Sequence, residues 1–125
     1  MPAKCPFCNP DAARILSENG VGIAMHDGFP VSTGHALVVP KRHIASLFNL
    51  PGEEQEALWR LVAEVRARLQ TEFHPDGFNI GINDGQAAGQ TVAHAHIHLI
   101  PRYSGDVADP RGGIRWVLPD EARYW

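Results

Sequence analysis

The sequence predicts an α+β fold in which an antiparallel sheet carries one long helix on one face. Three observations predict it. Residues 53–74 place apolar side chains at helical spacing with charges on the other side. Four shorter stretches alternate in character and are bounded by Gly, Pro, Asn or Asp, as strands are. Their order, two strands, then the helix, then two strands, fits an antiparallel sheet with the helix packed against it.

The first two strands are read in "VGIAMHD" (21–27) and "HALVVP" (35–40), and the turn residues of "GFPVSTG" between them make an antiparallel hairpin. The helix runs from Glu53 to His74, with Leu58, Leu61, Val62, Val65 and Leu69 on its buried face. Pro51 suits its first turn and Pro75 ends it. "GFNIGIND" (77–84) alternates as a third strand, and the Gly-rich "GQAAGQTV" (85–92) leads into a fourth, "AHAHIHLIPR" (93–102). The tail from Tyr103 to Trp125, rich in Gly, Pro and Arg, is expected to be mostly irregular.

The 125 residues are expected to form one domain, 1–125, with ordinary soluble-protein fractions of 44% hydrophobic and 20% charged residues. A formal charge of −3 gives no general attraction for nucleic acid or an anionic membrane, so any phosphate must be recognised by local donors. No apolar run approaches the ~18 residues that span a bilayer, and "MPAKCPFCNP" has no apolar core of a secretory signal. Two cysteines three positions apart make a poor disulfide framework, which favours a reducing compartment, the cytoplasm.

His94, His96 and His98 recur at every second position of the fourth strand. Positions two apart line one face, so the three imidazoles share a face while Ala95, Ile97 and Leu99 turn to the core. Such a row could be incidental, could bind a metal, or could act as a nucleophile on phosphorus. A neutral imidazole attacks phosphorus when one ring nitrogen is held protonated and the other presents its lone pair. The preceding loop favours the nucleophile: Gly81, Gly85 and Gly89 allow close backbone approach, and Gln90 and Thr91 add donors. A metal site needs no such loop. Cys5 and Cys8 form a Cys-x-x-C within an N-terminal segment, 1–10, that lacks the strand-then-helix context of a redox motif. They supply two of the four ligands of a structural zinc, or are simply two reduced thiols.

"GQTVAHAHIHLIPR" resembles the signature of the histidine-triad (HIT) family, and "GHALVVPKRHIASLFNL" resembles that family's second strand and following turn. "INDGQAAGQTVAHAHIHLIPRYSGD" is most similar to the fragile-histidine-triad branch, which hydrolyses dinucleoside polyphosphates. The chain departs from that branch in its Cys-Pro-Phe-Cys and in the tail "DPRGGIRWVLPDEARYW", both of which resemble bacterial members.

The resemblance implies a HIT-like domain with a five-stranded antiparallel sheet and a homodimer formed through the helix and an adjoining strand. It also implies hydrolysis at the α-phosphate of a purine dinucleoside polyphosphate or nucleoside phosphoramidate, with His96 as the nucleophile that becomes nucleotidylated. His98 would contact the α-phosphate, His94 would order the strand, and His35 would support the site from the neighbouring strand. Asp27 and Asn83 align with ribose-binding positions, Gln90 and Thr91 with phosphate-binding ones, and Phe7 walls the base pocket or is a plain core aromatic. His43 and His94 would join Cys5 and Cys8 around a structural zinc, a closed tetrahedral set with no position open for catalysis. Two alternatives remain: a nucleotidyltransferase or phosphorylase, differing only in the acceptor, and a non-catalytic, zinc-stabilised nucleotide-binding module.

Overall fold

A computed structural model describes residues 5–125; residues 1–4 of the Cys-x-x-C segment lie outside the described residues. Five strands, β1 (Ile15–Glu18), β2 (Gly22–His26), β3 (Ala36–Pro40), β4 (Gly77–Ile82) and β5 (Ile97–Arg102), form one sheet in the order β1-β2-β3-β5-β4. All four neighbouring pairs are antiparallel. The single long helix, α1 (Gly52–Phe73), lies within one residue of its predicted span at each end. Pro51 sits just before its first turn rather than inside it, and His74 closes the helix in the left-handed region at φ 52°, its N–H donating to the Gln70 carbonyl.

α1 buries Leu58, Leu61, Val62, Val65 and Leu69 against Ala24, Ala36, Val38, Ala95, Ile97 and Leu99 of the sheet side. This is the predicted apolar stripe meeting the predicted inward half of the fourth strand. The approach is close enough that a Cβ on Gly22 would stand 2.6 Å from Leu58 Cδ2 and 3.0 Å from the Val39 carbonyl oxygen. Glycine is required there by packing. On the opposite face Met25, Leu37 and Val39 form a second, smaller cluster, with Phe7 and Ile23 packed on it. That face carries the site.

Two expectations need correction. The segment 93–102 is not one strand: β5 begins at Ile97, so of the three histidines only His98 lies within it. Pairing starts where both neighbours are present, with Ile97 opposite Val38 of β3 and Ile82 of β4. Before that point β4 has ended, and the chain leaves the ladder although β3 continues to Pro40, the Ala95 N–H bonding the Ile44 carbonyl in the turn after β3 instead. The inward set survives because Ala95, Ile97 and Leu99 are all buried in the core. Periodicity also gave four strands and missed β1, whose pairing with β2 shifts register between Ile15 and Ser17. The bulge breaks the period of two on which the pattern depends. The tail is largely irregular as expected, apart from short 3-10 turns at Gly113–Val117 and Pro119–Glu121.

Candidate active site

The open face gathers imidazoles whose hydrogen bonds decide their tautomers. His96 Nδ1 lies 2.9 Å from the His94 carbonyl oxygen. A carbonyl only accepts, so Nδ1 carries the proton and Nε2 carries the lone pair. His96 is buried and lines a cavity of about 370 Å³ that also borders Asp27, Asn83, Thr91 and His98. The Phe7 ring rests against it, centroid to centroid 4.9 Å, while also packing on the small Met25 cluster. Phe7 is therefore both cavity wall and core aromatic.

A second chain of bonds orients His98. The Val31 N–H donates to His35 Nδ1 at 3.1 Å, which leaves the His35 proton on Nε2. That Nε2 is 3.0 Å from His98 Nδ1 and 3.3 Å from Asp27 Oδ2. Donation to His98 Nδ1 puts the His98 proton on its far nitrogen, Nε2, as a hydrogen-bond donor. Burial first, then the His96 and His35 rings, pull the His98 pKa down to about 4 against the opposing pull of Asp27. Burial likewise lowers His35. Both rings are neutral at pH 7. Asp27, His35 and His98 lie close enough to suggest a cation site. The Val31 N–H argues against one, because a metal on His35 Nε2 would need the proton on Nδ1, where another donor already points.

His94 belongs to a different cluster. Its Nε2–H donates to the Pro40 carbonyl at 2.8 Å, so Nδ1 is unprotonated and faces Cys5 Sγ at 3.4 Å and Cys8 Sγ at 3.5 Å. His43 Nδ1 lies 3.0 Å from Cys8 Sγ. The four ligand atoms all lie within 4.8 Å of one another. A tetrahedral ion with metal–ligand bonds of about 2.0–2.3 Å has ligands roughly 3.3–3.8 Å apart, so this donor set could hold one with small adjustment. Burial keeps His94 below the ordinary histidine range, the form that ligates. Lost hydration, then Cys5, raises the Cys8 thiol, so a cation would have to displace its proton.

The remaining predicted residues divide. Asp27 Oδ1 accepts the Phe29 N–H at 2.8 Å, and Asn83 and Thr91 border the cavity beside it. Gln90 does not border it. Its amide donates to the Ala45 and Val92 carbonyls at 2.8 and 3.0 Å and accepts the Gly85 N–H at 2.9 Å. In this conformation Gln90 clamps the Gly-rich loop to the turn after β3, and reaching a phosphate would require breaking one of those bonds. Arg14 lines the cavity and was not singled out from the sequence. Its one sequence signal is Gly28, which leaves room for it: a Cβ there would meet Arg14 Nη1 at 2.6 Å. A second cavity of about 470 Å³ shares His98 and Asn83 with the first, and is walled by Ile80, Ile82 and Ile100 together with Ile114 and Val117 of the tail.

An open-faced five-stranded sheet with one covering helix and this histidine cluster is what a HIT domain presents, and the HIT domain family model matches residues 10–105. The chain belongs to the HIT family. It is 43% identical over 94 residues to a bis(5'-adenosyl)-triphosphatase of Dictyostelium discoideum, covering 75% of this chain and 63% of that one. A HIT family protein of Bacillus anthracis superposes with a TM-score of 0.75 at 36% identity, over 82% of this chain and 76% of the other. A zinc-bound histidine triad family protein of Mycobacterium smegmatis superposes with a TM-score of 0.69 at 38% identity, over 84% and 77%. No helix among the described residues is long and apolar enough to cross a membrane.

Proposed function

We propose that this protein hydrolyses a nucleotidyl bond at the α-phosphate of a purine nucleotide derivative, a dinucleoside polyphosphate or a nucleoside phosphoramidate, through a nucleotidyl-His96 intermediate. The observation that carries this is the His94 carbonyl, which fixes the His96 proton on Nδ1 and frees Nε2 in a cavity wall. Pure binding has no need of a ring nitrogen aimed this way. In the first step the Nε2 lone pair forms a P–N bond as the bond to the leaving group breaks. Water then attacks the same phosphorus, its hydroxyl staying on phosphorus and its proton passing through solvent to the departed leaving group, the P–N bond breaks, and His96 is restored.

His98, with its proton on Nε2, donates to an α-phosphate oxygen, and His35 holds it in that tautomer. Asp27 and Asn83 take the ribose hydroxyls, the carboxylate accepting from two neighbouring donors. Thr91 offers a hydroxyl to phosphate. Gln90 serves first by holding the loop that presents Thr91. The triphosphatase relative supports the dinucleoside polyphosphate half of the reading.

Cys5, Cys8, His43 and His94 would hold a structural zinc, a reading supported by the set's donor chemistry and by the zinc-bound neighbour. The ion would tie the N-terminal segment to the turn after β3 and to the residue whose carbonyl orients His96. A homodimer formed through the helix and an adjoining strand, and a cytoplasmic location, complete the proposal. The experiment is direct: incubate the protein separately with diadenosine tetraphosphate and adenosine 5'-phosphoramidate and look for AMP. AMP from either supports the reading, and AMP from neither, with nucleotide bound, supports the non-catalytic module instead.

A further inference from the structure

Among the described residues, eight of the nine arginines have partners. Arg42, Arg60, Arg102 and Arg111 pair with carboxylates, Arg68 and Arg115 donate to backbone carbonyls, and Arg66 and Arg123 lie over aromatic rings. Arg14 has no such partner among the described residues, yet it is half-buried in the wall of the cavity that holds His96 and His98. An unpaired guanidinium there offers five donors and no acceptor to whatever enters.

Its place along the cavity says what it meets. Asp27 Oδ2 is 4.0 Å from His98 Nδ1, so the carboxylate stands beside the phosphate end. The next residue is Gly28, and the Arg14 guanidinium lies over it, filling the space a side chain there would occupy. Arg14 thus meets the cavity beside Gly28, the chain neighbour of Asp27, while Phe7 of the same wall rests on His96. Resting on the proposed nucleotide reading, phosphate at the histidines and ribose at Asp27 put the base at Arg14.

We infer that Arg14 is a base-reading residue that selects 6-oxopurines, guanine and hypoxanthine, over adenine. Guanine and hypoxanthine present two adjacent acceptors, O6 and N7, to which a guanidinium donates through two parallel hydrogen bonds. Adenine keeps N7 but replaces O6 with an amino donor, which faces Arg14 donor to donor. Gly28 belongs to the same device, because any larger residue would push the guanidinium away.

Isothermal titration of the intact protein with GMP, IMP and AMP tests this, using wild type, Arg14→Met and Gly28→Ala. Wild type should bind GMP and IMP about 5- to 150-fold more tightly than AMP, the range one bidentate base contact supplies. Arg14→Met should bring the ratio close to one, and Gly28→Ala should reduce it while the arginine is still present. Equal affinity for GMP and AMP in wild type overturns the inference without touching the hydrolase reading. Equal weakening of all three nucleotides by Arg14→Met also overturns it, by moving Arg14 to the phosphate. No binding of any of the three overturns the nucleotide reading itself and takes this inference with it.

Discussion

His98 should make the fold acid-sensitive, and the size of the effect follows from its surroundings. Its pKa falls from the ordinary 6.5 to about 4 because the folded protein hides the ring from water and places His96 and His35 beside it. A free histidine in the unfolded chain takes up its proton near pH 6.5, whereas folded His98 resists protonation until about pH 4. In that window the unfolded state binds more protons, so stability falls as pH is lowered and the loss levels off below about 4. At roughly 1.4 kcal/mol per pH unit the full effect is on the order of 3 kcal/mol, of which about 2 kcal/mol develops between pH 7 and 4.5. Urea unfolding of wild type and His98→Asn at those two pH values is the assay. His35 and His94 are lowered too, but both proteins share those contributions. The variant should therefore lose about 2 kcal/mol less than wild type on acidification. Equal losses in the two proteins would refute a neutral, burial-shifted His98.

Asp27→Ala should weaken binding of a ribonucleotide about tenfold or more, since a charge-assisted bond contributes about 1.5–3 kcal/mol, and should hardly affect its 2',3'-dideoxy analogue. Titration with the pair checks it, and equal losses would remove Asp27 from the ribose. Cys5→Ser combined with Cys8→Ser should give a metal-free protein with a lower melting temperature that still forms the His96 adduct. Metal analysis of untagged wild type purified without chelator should find zinc near one per chain, and less than about a tenth would end the structural-zinc reading. Gln90→Ala removes three hydrogen bonds from the 85–92 loop and should lower stability by about 1–2 kcal/mol, with faster amide exchange confined to the loop. Exchange unchanged across 85–92 would show that Gln90 does not clamp it.

The helix and the β2–β3 hairpin were legible because their patterns are local: apolar residues at helical spacing, and two apolar runs around turn residues. β1 was not, because its bulge is visible only against β2. The histidine row was legible as a cluster and misread as geometry. Alternation made His94, His96 and His98 look equivalent, yet the chain leaves the ladder before Ile97, and His94 turns to Pro40 and the cysteines while His98 faces His35. Nothing in the spacing distinguishes those destinations, since they are set by elements 54 to 89 residues away. The four candidate metal ligands, two read from the cysteine spacing and two from family resemblance, do meet in space. Arg14 was not legible because a lone arginine becomes informative only where the fold leaves it without a partner among the described residues.

The central claim is that His96 Nε2 attacks the α-phosphate, and the intermediate itself is the measurement. Wild-type protein mixed with adenosine 5'-phosphoramidate, quenched within a turnover and analysed by intact mass, should carry one acid-labile nucleotidyl group, mapping to His96. His96→Ala and His96→Asn should carry none and turn over no substrate, while still binding AMP through the groups that remain. Near-normal turnover in His96→Ala, or a nucleotidyl group mapped to any other residue, would contradict the account.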